Sequence, residues 1–352
     1  MFIIRADGNA KIGAGHLMRC LTIGEEVRKL PGAPEILVLC ADEDSAKLAS
    51  DKGFRTGVFH TDYRRMQEEL PLWGRWIKDD RNTILVDSYH VTDAYLAALG
   101  SMGRVCLMDD MQNHAYPVDV VVNYHVFADA AVYEKLYCRS TDCCKNDKAR
   151  PVQLCLGGAY VPLREQFQGV DYRVKDQVEQ VLLTTGAGDA DNIAGAIMDR
   201  IYRKDLIFHV LVGRFSPHLS GWKKRAEDCP NIRVYFDVQD MAGLMAGCDV
   251  AVSAGGSTVY ELSAVGVPFI GFSYAKNQEM LVEYLGANDV AGNAGAWHKD
   301  RDKTLEQIGF LFRALCSDFE MRRKYAIRER TMVDGQGAGR LARALYVEET
   351  DI

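Results

Sequence analysis

Short runs of consecutive apolar residues recur along this chain and alternate with longer stretches whose apolar residues return at helical spacing. FIIRA, EILVLC, TILVDS, RVCLMD and VDVVVN lead in the first half, and VEQVLLTTG, LIFHVLVG, IRVYF, CDVAVSAGG and PFIGFS follow in the second. Consecutive rather than alternating apolar positions belong to strands covered on both faces. Segments such as HLMRCLTIGEEVRKL and STVYELSAVG supply the covering helices. This βαβ rhythm restricts the chain to α/β architecture with parallel sheets. At 352 residues it exceeds an ordinary single domain, and the pattern breaks in the polar, aperiodic stretch FQGVDYRVKDQ at 167–177. The expectation is two Rossmann-like domains, residues 1–168 and 177–352, with parallel sheets facing a cleft and the last helix packing back on the first domain. In such sheets ligands lie beyond the carboxyl ends of the strands.

Composition excludes several classes. A formal net charge of −7, without a basic run, argues against a nucleic-acid partner. No apolar stretch is long enough to cross a bilayer, and MFIIRADG does not open like a secretion signal, so a cytoplasmic protein is expected. Of the ten cysteines, Cys40, Cys106, Cys155 and Cys248 lie in apolar strand contexts and read as core residues. Cys138, Cys143 and Cys144 fall in the polar segment YCRSTDCCKND without a C-x-x-C pair, and a loop of free thiols is expected there rather than a metal site. No metal and no cofactor is expected, and the pattern sets no oligomeric state.

Three strand-to-helix junctions are rich in glycine: Gly13-Ala14-Gly15-His16; TTGAGDADN, with Gly186, Gly188 and Asp189; and SAGGSTVYE, with Gly255, Gly256, Ser257, Thr258 and Glu261. Each lets backbone N–H groups at a helix start approach an anion. Three such turns in one α/β chain favour a phosphate-bearing ligand. The dinucleotide fingerprint is incomplete, since Met18 stands where its third glycine or alanine belongs. GAGD at 186–189 is similar to the anion hole of ribokinase-like kinases but lies too early in the chain. Glu261, in the first turns of its helix, is placed to accept both hydroxyls of a ribose.

SAGGSTVYE…GVPFIGF resembles the nucleotide-binding segment of GT-B glycosyltransferases, the lipid-intermediate group in particular. IRADGNAKIGAGHLMRCLTIG resembles the first segment of the UDP-2,4-diacetamido-2,4,6-trideoxy-β-L-altropyranose hydrolases of the pseudaminic acid pathway. The resemblance runs on in order through LVDSYH, LMDDMQNH, VDVVVN, LCLGGAYVPLREQF, LLTTGAGDADN and YAKNQ to VDGQGAGRLARAL. CRSTDCCKNDKAR is an addition to the pattern, and Gly158 and Val161 depart from it. The resemblance implies a GT-B-like fold and a hydrolase that removes UDP from that UDP-sugar. It makes His16 the catalytic base, Tyr89 its partner at the sugar, and Arg164 and Glu261 the nucleotide holders. Asn277 and Gln278 of YAKNQ join the glycine turns in the binding set.

Elementary chemistry agrees with that implication. UDP is an anion that leaves with help from electrostatic support more than from a proton, and helix-start amides supply such support. A histidine held on a tight glycine turn at the positive end of a helix is suited to accept a proton from water. Asp109 and Asp110, at a strand end, are read either as contacts of the sugar or the attacking water or as turn openers, and Asn123 is read as a sugar contact. Arg5, Asp7 and Arg19 are expected to brace the opening loop, and His60, His209, His218 and His298 belong to no constellation. Two other readings stand beside the hydrolase: a GT-B glycosyltransferase using a UDP-sugar, and an inactive nucleotide-sugar-binding protein. A membrane-associated transferase would need a docking patch, for which only WGRWIKDDR offers itself.

Overall fold

The structure, a computed structural model, describes residues 1–9, 11–77, 79–137, 151–186, 188–213 and 216–346; Cys138, Cys143 and Cys144 lie outside them. The chain forms two compact units, Met1–Leu163 with Gln336–Ile352, and Arg164–Gly335.

The first unit is built on seven strands: β1 (Phe2–Ala6), β2 (Ile36–Cys40), β3 (Arg55–Val58), β4 (Thr83–Asp87), β5 (Arg104–Met108), β6 (Val120–Asn123) and β7 (Gln153–Leu156). They form one sheet in the order β3-β2-β1-β4-β5-β6-β7, parallel at every pairing. Because side chains alternate across a strand, Phe2, Ile4 and Ala6 pack on one face with Leu17, Leu21 and Ile23. Ile3 turns to the other, with Leu37, Leu39, Trp73 and Tyr95. Trp73 of WGRWIKDDR is therefore a core residue, and Trp76 closes over Gly57 of β3. The aromatic residues of that stretch are spent on packing. The helix Gly337–Leu345 belongs to this unit, with Leu341 and Leu345 in the same core as Leu17. A side chain at Gly337 would collide with the Val161 backbone, 2.2 Å from where its Cβ would stand.

The second unit carries β8 (Gln180–Thr184), β9 (Ile207–Leu211), β10 (Ile232–Tyr235), β11 (Val250–Ala254), β12 (Phe269–Ser273) and β13 (Gly292–Ala296). Their order is β10-β9-β8-β11-β12-β13, again parallel. Both sheets are thus doubly wound, and in each the direction of winding reverses once, between β1 and β4 and between β8 and β11. Loops leaving such a strand pair diverge to opposite faces and open a crevice at the carboxyl ends. The strands absent from the sequence expectation, β3, β7 and β13, all lie at sheet edges. There a strand is covered on fewer sides and needs no continuous apolar run, and β13 reads GNAGA.

The helix Thr258–Val265 is held at its far end by Gly266 in the left-handed region and by Arg330, whose Nε donates to the Val265 carbonyl at 2.9 Å. Beside Arg330, on the helix Phe319–Met332 that packs on it, Glu329 is fully buried, and neither carboxylate oxygen reaches a hydrogen bond of proper geometry. Burial pushes its carboxyl well up, only partly opposed by the Phe269 amide and Arg330. A carboxyl raised in the folded state stabilises below its unfolded value and loses that contribution as pH rises through the folded one. Glu329→Met is therefore expected to stabilise by about 1–3 kcal/mol near pH 8. The gain should shrink toward pH 5, as urea denaturation at the two pH values will show.

Candidate active site

β1 and β4 flank the reversal in the first sheet, and the loops that leave them bring together the residues of the opening glycine turn and of DSYH. After β1 the backbone folds back through Asn9, whose Oδ1 accepts from Lys11 N at 2.9 Å and whose carbonyl accepts from Gly13 N at 2.8 Å. The loop is pinned from outside by Asn9 Nδ2 on Asp42 and by Gly8 N on Ser45 Oγ. Gly13 has φ +77°, a conformation side chains with a Cβ resist. The helix Gly15–Val27 starts directly after it, which sets His16 in its first turn.

His16 does not stand alone there. Its Nδ1 lies 2.7 Å from Oδ1 of Asp87, the last residue of β4, which is almost wholly buried. An ionised carboxylate only accepts, so Nδ1 carries the proton and Nε2 is left as the ring's acceptor. Burial would raise the Asp87 carboxyl, but the Arg19 guanidinium and the His16 bond outweigh it and hold it below the usual range. Arg19, one turn further along the helix, uses every donor it has. Nε and Nη2 bind Asp87 at 2.5 and 2.7 Å, Nη1 and Nη2 bind Asp110 at 3.0 and 2.9 Å, and Nη1 also reaches Tyr124 Oη at 2.8 Å. It grips two carboxylates at once, each through a pair of N–H groups, a planar bidentate geometry that a lysine ammonium does not offer. Arg19, expected to brace the opening loop, ties Asp87 to Asp110, and its Nη2 lies 3.1 Å from Nδ1 of His16 in the opening stretch.

Asp110 in turn accepts from Tyr89 Oη at 2.9 Å and lies 3.4 Å from His125 Nε2. Burial is again outweighed, here by His125 and Arg19, and its carboxyl falls far below the ordinary range. Tyr89 is 61% exposed and meets the His16 ring edge-on at 4.7 Å between centroids. Burial of its hydroxyl end and the neighbouring Asp110 push its phenol up, so it stays protonated. Arg5 and Asp7 pair with each other at 2.6 Å beneath the loop, Arg5 also binding Glu69. Asp109 and Asn123 make their hydrogen bonds to nearby backbone and to Tyr133. Asp109 accepts from Met111 N, Gln112 N and Tyr133 Oη, and buried Asn123 binds Tyr133 Oη and His125 N. The Asp109 bonds to Met111 N and Gln112 N are those of a turn opener.

In the second unit the TTGAGD and SAGGST turns leave β8 and β11, the pair flanking that sheet's reversal. Gly186 has φ +86° beneath the Tyr274 hydroxyl, and Gly188 and Gly256 border open space. Gly255 is instead a packing glycine, since a Cβ would stand 2.5 Å from Val282. Ser257 gives the helix Thr258–Val265 no side-chain cap, so this helix start has no built-in acceptor from its cap residue, and Thr258 opens the helix. Arg164 Nη2 donates to Glu261 Oε1 at 3.1 Å, so these two expected nucleotide holders are joined. Burial pushes the Glu261 carboxyl up while Arg164 pulls against it. Asp189 is corrected to a brace: it is buried, and its carboxylate accepts from Ile193 N at 2.6 Å and Ala194 N at 3.0 Å, capping the helix Ile193–Ile201. Gln278 likewise turns inward to the Tyr274 amide, while Asn277 is exposed. Asp87, which binds His16 and Arg19, is the candidate site residue that sequence reasoning passed over. Its signal was present, an acid closing the apolar run TILVD at a strand's carboxyl end. Among the described residues no group of three or more His, Cys, Asp and Glu is arranged to hold a metal ion, and no helix is long and apolar enough to cross a membrane.

No family model matches the chain. It is 22% identical over 286 residues to the UDP-2,4-diacetamido-2,4,6-trideoxy-β-L-altropyranose hydrolase of Campylobacter jejuni, covering 80% of this chain and 95% of that one. The chain is a distant homologue of that hydrolase. Two further relatives are matched over less of their length. The spore coat polysaccharide biosynthesis protein SpsG of Bacillus subtilis is 27% identical over 197 residues, 54% of this chain and 57% of that protein. The uncharacterized protein MJ1062 of Methanocaldococcus jannaschii is 23% identical over 283 residues, 76% of this chain and 54% of that protein. The chain spans little more than half the length of these two. Among solved structures, MurG of Acinetobacter baumannii superposes with a TM-score of 0.65 at 11% identity, covering 98% of each chain. Medicago truncatula UGT71G1, complexed with UDP-glucose, gives 0.62 at 11% identity over 98% of each. The hydrolase homologue therefore has the GT-B fold that the sequence resemblance implied.

Proposed function

We propose that this hydrolase homologue itself removes UDP from a UDP-linked sugar, with UDP-2,4-diacetamido-2,4,6-trideoxy-β-L-altrose as the first candidate, in the making of a surface glycan. The observation that carries the reading is the Asp87-bound His16 at the reversal of the first sheet. Asp87 fixes the ring so that Nε2 accepts a proton from water. The water oxygen bonds to the anomeric carbon as the bond from that carbon to the phosphate oxygen breaks. UDP leaves with the electron pair, as an anion that needs electrostatic support more than a proton. Glu261, pinned by Arg164, is suited to the ribose hydroxyls. Tyr89, protonated and hydrogen-bonded to Asp110, offers an apolar ring and a fixed oxygen beside the base.

Incubating the purified protein with the UDP-sugar alone tests this. Equal amounts of UDP and reducing sugar are expected. A requirement for an acceptor alcohol would make it a transferase, and binding without turnover would make it an inactive binding protein. His16→Ala is expected to lower kcat at least 10³-fold while the inhibition constant of UDP stays within about twofold. Equal loss of both would assign His16 to the scaffold.

A further inference from the structure

Beside His16 the first unit holds a cavity of about 170 Å³, below the roughly 300–1,000 Å³ of sites that enclose a drug-sized ligand. A nucleoside diphosphate does not fit such a space, but a single sugar ring reaching in from its mouth does. Among the described residues that line it there is no lysine or arginine, so it offers a phosphate nothing. Its polar groups suit hydroxyl and amide N–H donors. A carboxylate accepts up to about four hydrogen bonds, and Asp7 has one to Ala41 N at 2.7 Å and one to Arg5 at 2.6 Å, leaving capacity toward the cavity. The Ser88 hydroxyl accepts from His90 N at 3.1 Å and keeps its own proton to give. Its remaining walls are flat or apolar: Tyr63, from the turn after β3, lies 5.6 Å from the His90 ring, and Ile12 comes from the opening loop. A carboxylate, a hydroxyl and aromatic side chains, with no lysine or arginine among the lining residues and Arg64 stacked over the Tyr63 ring at 5.4 Å, make a set that fits a neutral pyranose, whose C–H face lies against a ring while its donors meet the acid.

We propose that this cavity is a neutral-sugar subsite and that Tyr63 and His90 are its specificity-determining wall. The proposal rests on the nucleotide-sugar reading and adds Tyr63, which lies outside every motif that reading used, and gives a role to His90 at the end of LVDSYH. Hydrolysis kinetics on Tyr63→Ala and Tyr63→Phe test it, using UDP-hexoses that differ in N-acyl and 6-deoxy substitution. Tyr63→Ala is expected to lower kcat/KM about tenfold for the preferred sugar and to narrow the differences across the panel. Tyr63→Phe should retain both, and the inhibition constant of UDP should stay the same in all three proteins. Undiminished discrimination in Tyr63→Ala, or a matching loss of UDP affinity, overturns the subsite. If no UDP-sugar is turned over, the hydrolase reading has failed by itself. The subsite is then read by saturation-transfer NMR with free hexoses and N-acetylhexosamines. Transfer lost in Tyr63→Ala and kept in Tyr63→Phe supports it, and silence from every sugar, or signals that Tyr63→Ala leaves unchanged, overturns it.

Discussion

Asp87→Asn is expected to reduce kcat by about 10³–10⁴-fold with little change in KM. The substitution keeps the side chain's shape and removes its charge. An amide that turns its NH2 toward His16 Nδ1 favours the wrong tautomer, which puts the proton on Nε2 where the reaction needs a lone pair. It also leaves Arg19, bound to Asp87 at 2.5 and 2.7 Å, with half of its charge partners. Steady-state kinetics beside a thermal melt separate the two effects, because a folded but inactive variant locates the loss in the ring's orientation. A fall of less than tenfold would mean that Asp87 does not act through His16. Since the Asp87 and Asp110 carboxyls are both held below the usual carboxylate range, their contribution to stability is complete above about pH 4. It is lost only as pH falls through the depressed folded values.

The largest effect on stability is expected from Arg5→Met. Arg5 is fully buried and binds both Asp7 and Glu69, which Tyr95 Oη also contacts at 2.8 Å. Burial disfavours its charge, yet Asp7 and Glu69 outweigh that and push the guanidinium's proton affinity further up. Removing the cation strands two carboxylates in the interior, a loss of about 3–5 kcal/mol. Urea denaturation measures it, and an unchanged midpoint would show that the network carries no net weight. Asp7 also accepts from Ala41 N and lines the cavity beside His16, so activity should fall with stability. A buried pair of this kind is weak evidence that the protein is stable, but it fixes where the β1 loop begins.

Much of the candidate site in the first unit was legible because it is local. Gly13, Gly15 and His16 sit on consecutive positions of a strand-turn-helix, and the helix Gly15–Val27 follows from that spacing alone. Arg164 and Glu261 could be named from their motifs, and the structure joins them at 3.1 Å. Asp109, Asn123 and Asp189 show the opposite case. A strand-end or turn acid or amide reads the same in sequence whether it faces a ligand or binds the chain, and its bonds to Tyr133 or to the start of the helix Ile193–Ile201 become visible only in the fold. The reach of Arg19 and the place of Tyr63 were missed for a related reason. Their partners are far off along the chain, and no periodicity encodes them.

By itself the sequence determined the succession of the covered strands and their helices, though not the edge strands β3, β7 and β13, since uninterrupted apolar runs and helical spacing are set by local covering of each element. It also determined which turns are short enough to expose backbone amides. The tertiary structure decided the rest: that β1 lies beside β4 and β8 beside β11, so that His16 meets Asp87. Sheet order is fixed by crossover connections and core packing rather than by neighbours in the chain, and a residue 71 positions away becomes a hydrogen-bond partner only once those strands are paired.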